Sequence, residues 1–271
     1  MKEISKSKLS LYSMLGSRKH RLRNGLFIVE GEKSVADTLG NFELEALIVR
    51  GGYEPKMIDL ASLPEERVFT ASAVAMDKLS SLATSSSVVA VYKLPSQSTY
   101  FEEAIKVSSD KLYLMLDGIQ DPGNLGTIIR TAHWFGIEKI FCSRDTVDIF
   151  NPKTIQSTMG SLAKVEVVYC NLADVIKANT EMPVYGLLLD GEDINKATLG
   201  NCGFIVMGNE GKGISEEIRG LVTHRLLIPP YDTNNHSESL NVAIATGITL
   251  AAFRRPYFGS RNPGRNPADI F

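Results

Sequence analysis

The chain has 271 residues, 44% of them hydrophobic and 22% charged, with a formal net charge of −2. That length points to two domains with real apolar cores, and the near-neutral balance means that affinity for a polyanion has to come from local patches. Three scattered cysteines without CxxC spacing (Cys142, Cys170, Cys202), no apolar N-terminal run and no segment approaching a membrane span argue against a disulfide framework, a zinc site and a membrane role, and predict a cytoplasmic protein with no metal.

Residues 1–95 read as a small α/β unit. Leu26–Gly31 and Ala46–Val49 are short buried strands with helical spacing between them from Glu32 to Leu39. Val68–Thr70 and Val88–Tyr92 add two strands around a helix over 72–83. The dense basic run Ser17–Asn24 precedes them. On its own it reads equally as a solvated helix face or as a phosphate-binding patch. A polar, proline-containing stretch follows, and 96–109 is the predicted linker.

A second α/β series fills 110–255. Leu112–Leu116 is a continuous apolar strand, as in a sheet covered on both faces. The turn 117–126 leads to a helix from Leu125 to Phe135, closed by Gly136. Strands follow at Ile140–Phe141, Val165–Tyr169, Val184–Leu189, Phe204–Met207 and Leu226–Ile228. Helices are predicted over 153–161 and 173–177, from near Ser215, and over 241–253. This alternation predicts a mostly parallel sheet. Residues 256–271, rich in Pro, Gly and Arg, read as an irregular basic tail.

Three stretches stand at predicted strand ends: Asp121–Gly126 running on to Arg130, Gly208–Gly213, and Ser239–Asn241. The second is not a P-loop, since Lys212 is followed by glycine, and its glycine spacing is not GxGxxG. In open α/β sheets ligands bind beyond the carboxyl ends of strands, where backbone groups are accessible. Asn124 reads either as a helix N-cap or as a ligand-orienting amide. Arg130 reads either as a solvated or ion-paired residue or as a partly buried guanidinium aimed at an anion. His236 has no partner in the pattern and reads as a loop histidine.

DPGNLGTIIRTAHWFG, IVMGNEGKGIS and IPPYDTNNHSESLNVAIATGI, with NPKTIQSTMGSL between the first two, resemble the motifs of the SpoU (TrmH-type) RNA ribose 2′-O-methyltransferases of the SPOUT superfamily. GLFIVEGEKSV resembles the ribosomal-protein-like substrate-binding domain that precedes the catalytic domain in rRNA-directed members. The resemblance implies an α/β fold with a SPOUT-type parallel sheet and a C-terminal trefoil knot, preceded by a small α/β RNA-binding domain. It also implies S-adenosylmethionine held at Gly208, Ile228 and Leu240. Catalytic roles fall on Asn124, Arg130, Glu210, Ser239 and Asn241, and RNA contacts on Arg18, Lys19, Arg21 and Arg23. The implied activity is methylation of a ribose 2′-hydroxyl in structured RNA, with rRNA ahead of tRNA, by a homodimer. A non-catalytic RNA-binding or assembly factor with the same fold is the alternative. The loop 229–236 is longer than in compact members, and a proline stands where they carry methionine.

Overall fold

The computed structural model describes residues 1–82, 84–95, 105–232 and 237–258. The chain divides into two compact units that do not follow chain order: Met1–Glu102 with Gln120–Arg130 and Val147–Val168, and Glu103–Ile119 with Thr131–Thr146 and Tyr169–Phe271. His236 and residues 259–271 lie outside the described residues.

The first unit carries a five-stranded sheet in the order β1-β4-β3-β5-β2. Its strands are β1 (Lys2–Glu3), β2 (Leu26–Glu30), β3 (Leu44–Arg50), β4 (Val68–Ala71) and β5 (Val88–Lys93). The sheet is mixed: β5 runs antiparallel to β2 and β3, whereas β4 is parallel to β3 and β1. Helices α1 (Lys6–Ser13), α2 (Arg18–Asn24), α3 (Glu32–Thr38) and α4 (Ala73–Leu79) accompany it. Apolar spacing did not predict α1, because its residues are mostly polar. Ser5 caps it by accepting from the Lys8 N–H. Helix α2 stops at Gly25, whose φ of +64° suits a residue without Cβ. Tyr12, Leu26, Ile28, Ile48, Met76 and Val91 belong to one core cluster. Phe27, Phe42, Tyr92 and Phe150 form a second, aromatic cluster.

The second sheet has the order β11-β9-β10-β6-β7-β8. Its strands are β6 (Leu112–Asp117), β7 (Lys139–Cys142), β8 (Glu166–Tyr169), β9 (Val184–Asp193), β10 (Gly203–Gly208) and β11 (His224–Leu227). Pairings β10–β6, β10–β9, β11–β9 and β6–β7 are all parallel, as the alternation predicts. Every residue of β6 is buried, so the apolar run of this strand is the mark of a sheet covered on both faces. The remaining helices are α5 (Pro122–Trp134), α6 (Pro152–Thr158), α7 (Leu172–Ala178), α8 (Glu216–Arg219) and α9 (Val242–Phe258).

Several boundaries differ from the sequence expectation. Helix α5 begins at Pro122, three residues before Leu125, because proline is preorganised for the first helical position and Asp121 accepts from the Asn124 N–H at 2.9 Å. Asn124 therefore lies inside the first turn and is not the cap. Strand β9 continues past Leu189 to Asp193, with an irregular register opposite Arg225 and Leu226. Helix α9 passes the expected end at Phe253 and reaches Phe258.

Candidate active site

In the second unit Gly208 and Ile228, two of the residues implied to hold a cofactor, lie at or just past the carboxyl ends of parallel strands. Gly208 ends β10 directly opposite Asp117, which ends β6. A Cβ at Gly208 would overlap the backbone of Gly213 and Ile214, so no residue with a side chain fits where the loop returns past the strand. The loop closes through paired backbone bonds between Asn209 and Gly213, each 2.9 Å. The Asn209 side chain organises it further. Its Oδ1 accepts from the Gly211 and Lys212 N–H groups at 2.9 Å, and its Nδ2 donates to the Gly118 carbonyl at 2.6 Å. Glu210 stands exposed in this ring.

Asp117 is buried and accepts from the Ser215 N–H at 2.7 Å, which fixes the exit of the same loop. Gly118 has φ +72° and donates its N–H to Ser143 Oγ at 2.8 Å. Thr146 donates to the Leu116 carbonyl at 3.2 Å, so the segment after β7 supports the turn after β6. Ile228 lies one residue past β11 and is half-buried. Ser239 and Leu240 are exposed, and Asn241 caps α9 by accepting from the Ala243 N–H at 2.9 Å. That cap is a structural duty for a residue implied to be catalytic.

Asn124 and Arg130 belong to the first unit. There Asp121 uses both carboxylate oxygens, one for the Asn124 N–H and one for Lys153 Nζ, each at 2.9 Å. The Lys153 ammonium, and after it the Asn124 N–H, hold the Asp121 carboxyl below its ordinary range. Helix α5 lies so close to α6 that a Cβ at Gly126 would overlap the Thr154 carbonyl and the Ser157 side chain. Arg130 points away from that contact. Ile128, Ile129 and Ala132 are buried while Thr127, Arg130 and Trp134 are exposed, as the 3.6-residue period dictates. Of the two sequence readings of Arg130 the structure shows the solvated one: the side chain is exposed, and it has no ion-pair partner among the described residues.

The basic run also departs from expectation at one position. Arg18, Lys19 and Arg23 are exposed on α2. Arg21 is 2% exposed, and its guanidinium is occupied by the Leu15 and Gly16 carbonyls at 3.0 and 2.8 Å and by Asp148 Oδ2 at 2.8 Å. Its Nε makes no hydrogen bond, but at this burial no phosphate reaches it, so its role is to hold the segments around Gly16 and Asp148 together. Asn209, Asp121 and Lys153 lie in stretches singled out in the sequence but had no role assigned there, and Asp117 had none either. Only Asp121 carries a local signal, an acid immediately before a helix-starting proline. Among the described residues no cluster of His, Cys, Asp or Glu could hold a metal ion, and no helix is long and apolar enough to cross a membrane.

A parallel sheet whose strand ends carry a glycine-built loop, a positive-φ turn and an asparagine-capped helix belongs to the open-sheet α/β proteins that bind ligands beyond their carboxyl edges. Residues 111–251, more than half of the chain, match the SpoU rRNA Methylase family, and the chain belongs to that family. Residues 8–90 match the MRM3-like substrate binding domain. The 23S rRNA (guanosine(2553)-2'-O)-methyltransferase RlmP of Bacillus subtilis is 28% identical over 267 residues, covering 94% of this chain and 100% of the relative. A TrmH-family structure from Porphyromonas gingivalis is 35% identical and superposes with a TM-score of 0.79 over 93% of this chain and 99% of that one. An AdoMet-bound rRNA methyltransferase from Sinorhizobium meliloti is 27% identical with a TM-score of 0.80, covering 94% and 97%.

Proposed function

We propose that this chain transfers a methyl group from S-adenosylmethionine to a ribose 2′-hydroxyl of rRNA. The loop Gly208–Gly213 carries the reading: it closes through its own backbone at the end of β10, and Asn209 bonds it to the turn after β6. Family membership and the rRNA methyltransferases among the relatives support the substrate class.

The residues present fit the cofactor. Gly208 puts bare backbone at a strand end, and half-buried Ile228 and exposed Leu240 offer apolar surface. When bound, the sulfonium supplies an electrophilic methyl. The chain's own residues align the ribose oxygen and manage its proton. Alignment of reacting groups alone contributes several kcal/mol, up to about 7–11 in favourable cases. Arg130 cannot act as the base, because guanidinium stays protonated. Its exposed, unpaired fork suits a phosphate beside the target ribose. As the 2′-oxygen attacks the methyl, its proton passes by way of that phosphate to solvent water, while Asn124 and Glu210 orient the nucleotide. Ser239 and Asn241 complete the site at the start of α9. Arg18, Lys19 and Arg23 add phosphate contacts from residues 1–95, the RNA-binding domain of this reading, which the segment 96–109 links to the catalytic domain at 110–255.

The same reading includes the trefoil knot of the family, a homodimer and a cytoplasmic location. The dimer draws support from apolar side chains left on the surface of the second unit, Trp134 at 67%, Ile244 at 58% and Ile248 at 40% exposure. Ile244 and Ile248 stand one turn apart on one face of α9, and adjoining exposed apolar groups, unlike scattered single ones, mark a surface that a partner covers. Transfer of labelled methyl from S-adenosylmethionine to separate rRNA and tRNA pools tests the activity. Label in rRNA that is stable to base at one nucleotide is the expected result. Label confined to tRNA overturns the substrate, and no label in either pool overturns the activity.

A further inference from the structure

A groove of about 600 Å³ opens in the first unit between α1, the turn from α2 into β2, the start of β3 and the end of β5. Its apolar lining is built from Leu11, Tyr12 and Leu26, Glu45 stands in its wall, and Lys8 and Lys93 stand at its rim. The volume falls within the range of small-ligand pockets, about 300–1,000 Å³. None of these residues has a part in the methyl-transfer site described above.

Glu45 is the polar centre of the groove. The Tyr12 hydroxyl donates to Glu45 Oε1 at 3.4 Å, and Lys8 Nζ lies 3.7 Å from the same oxygen. Burial, and then the neighbouring Glu45 carboxylate, push the Tyr12 phenol well up, so it stays protonated and keeps donating. Glu45 Oε2 has no hydrogen bond among the described residues. A carboxylate is an acceptor only, and one oriented from behind in this way waits for a ligand with donors.

Both rim lysines are in ion pairs at the surface, Lys8 with Glu45 and Lys93 with Glu43 at 2.6 Å. Half-exposed pairs of this kind are worth only about 0–1 kcal/mol, so they exchange readily for a stronger anion. Arg18, Lys19 and Arg23 extend the positive charge on the same unit. An apolar lining, an acceptor on the wall and cations on the rim match an unstacked nucleobase: sequence-specific RNA recognition reads splayed-out bases on their Watson–Crick edges. Guanine alone among the four presents two adjacent donors there, N1–H and the N2 amino group, as a carboxylate requires.

Resting on the reading of this chain as an rRNA methyltransferase, we propose that this groove receives one unstacked guanine of the RNA, with its donors on Glu45 and its flanking phosphates on Lys8 and Lys93. It would be a recognition site separate from the nucleotide that is methylated, and it would help to select the RNA.

The test uses the full chain and RNA hairpins that differ only in carrying G, inosine or A at one loop position, with binding read by fluorescence anisotropy. The unmodified protein is expected to bind the G hairpin about tenfold more tightly than the A hairpin, with inosine, which lacks the N2 amino group, in between. Glu45→Gln should bring the G and A affinities within about twofold of each other. Lys8→Ala with Lys93→Ala should weaken all three hairpins alike and flatten the salt dependence. Equal binding of the three hairpins by the unmodified protein overturns the proposal, as does a natively folded Glu45→Gln variant that keeps the preference for G. Should Glu45→Gln fail to fold, the inosine hairpin and the lysine pair decide in its place. Methyl transfer is measured on the same protein. A chain that prefers the G hairpin but methylates no RNA keeps the groove and loses the proposed activity. One that methylates rRNA without any G preference keeps the activity and loses the groove.

Discussion

Asn209 donates its side-chain amide to the Gly118 carbonyl at 2.6 Å and so joins the end of β10 to the end of β6. The opposite end of the same amide gathers the N–H groups of Gly211 and Lys212. One residue therefore shapes the loop that bears Glu210 and fixes it to the neighbouring strand. Because Gly208 leaves no space for a side chain beside the returning Gly213 and Ile214, the loop has few ways to relax, and its geometry rests largely on this asparagine.

Asn209→Ala should loosen the loop without unfolding the sheet. Three hydrogen bonds disappear, and each is worth about 0.5–1.5 kcal/mol net. If part of that loss falls on ligand binding, S-adenosylmethionine affinity drops roughly 10- to 100-fold, at 1.4 kcal/mol per decade. Calorimetric titration measures it. An unchanged dissociation constant would show that the loop does not hold the cofactor.

The two kinds of arginine on α2 should separate cleanly. Arg21→Met leaves Asp148 without its partner in a largely enclosed site, and breaking such a pair costs about 3–5 kcal/mol. Replacing Arg18, Lys19 and Arg23 together by alanine should leave the urea midpoint nearly unchanged, since exposed sites of this kind stay within about ±0.5 kcal/mol each. That triple variant should lose RNA affinity and show a shallower salt dependence. Equal destabilisation by both changes, or unaltered RNA binding by the triple variant, contradicts the assignment.

The strand and helix alternation, the parallel second sheet and the strand-end position of Gly208 were legible in the sequence, because apolar runs and glycine placement are set locally. What was not legible depends on distant partners. Arg21 and Arg23 look alike in the run from Ser17 to Asn24, and only Asp148, far along the chain, makes one of them a core residue. Asn124 resembles a cap until Asp121 is seen to take that place and to share itself with Lys153. Arg130 could be read as solvated or as half-buried because apolar neighbours surround it in sequence, and the helix decides between them by turning all of those but Trp134 inward. Helix α1 escaped notice because a cap and a packed tyrosine, not an apolar stripe, define it.

Asp121 provides a pH readout of the first turn of α5. Its folded-state carboxyl is held below the ordinary value, first by Lys153 and then by the Asn124 N–H. A depressed carboxylate stabilises the fold above its unfolded value, and that contribution fades as the pH falls through the folded one. The group is substantially exposed, so the effect on total stability is small. Lys153→Met should move the Asp121 midpoint up toward the usual carboxylate range in a carbon-detected NMR titration. The same change should lower methyl transfer more than cofactor affinity, because the turn that carries Asn124 loses a tether. A midpoint that does not move would mean the ion pair is absent in solution.

Arg130→Ala is the sharpest test of the proposed chemistry. The side chain is exposed, has no ion-pair partner among the described residues and lies on the face of α5 opposite its buried isoleucines. Its removal should therefore change stability by no more than about ±0.5 kcal/mol. Losing a group that stabilises developing charge in a reaction typically costs about 10²- to 10³-fold in rate, so single-turnover methyl transfer should fall by at least about 100-fold while cofactor affinity stays within a factor of two. Lysine at this position keeps the charge but not the planar fork that meets a phosphate with two parallel bonds. Arg130→Lys should consequently recover only part of the rate. Full activity in the alanine variant would remove Arg130 from the reaction, and a loss of cofactor binding equal to the loss of rate would assign it to the cofactor and not to the RNA.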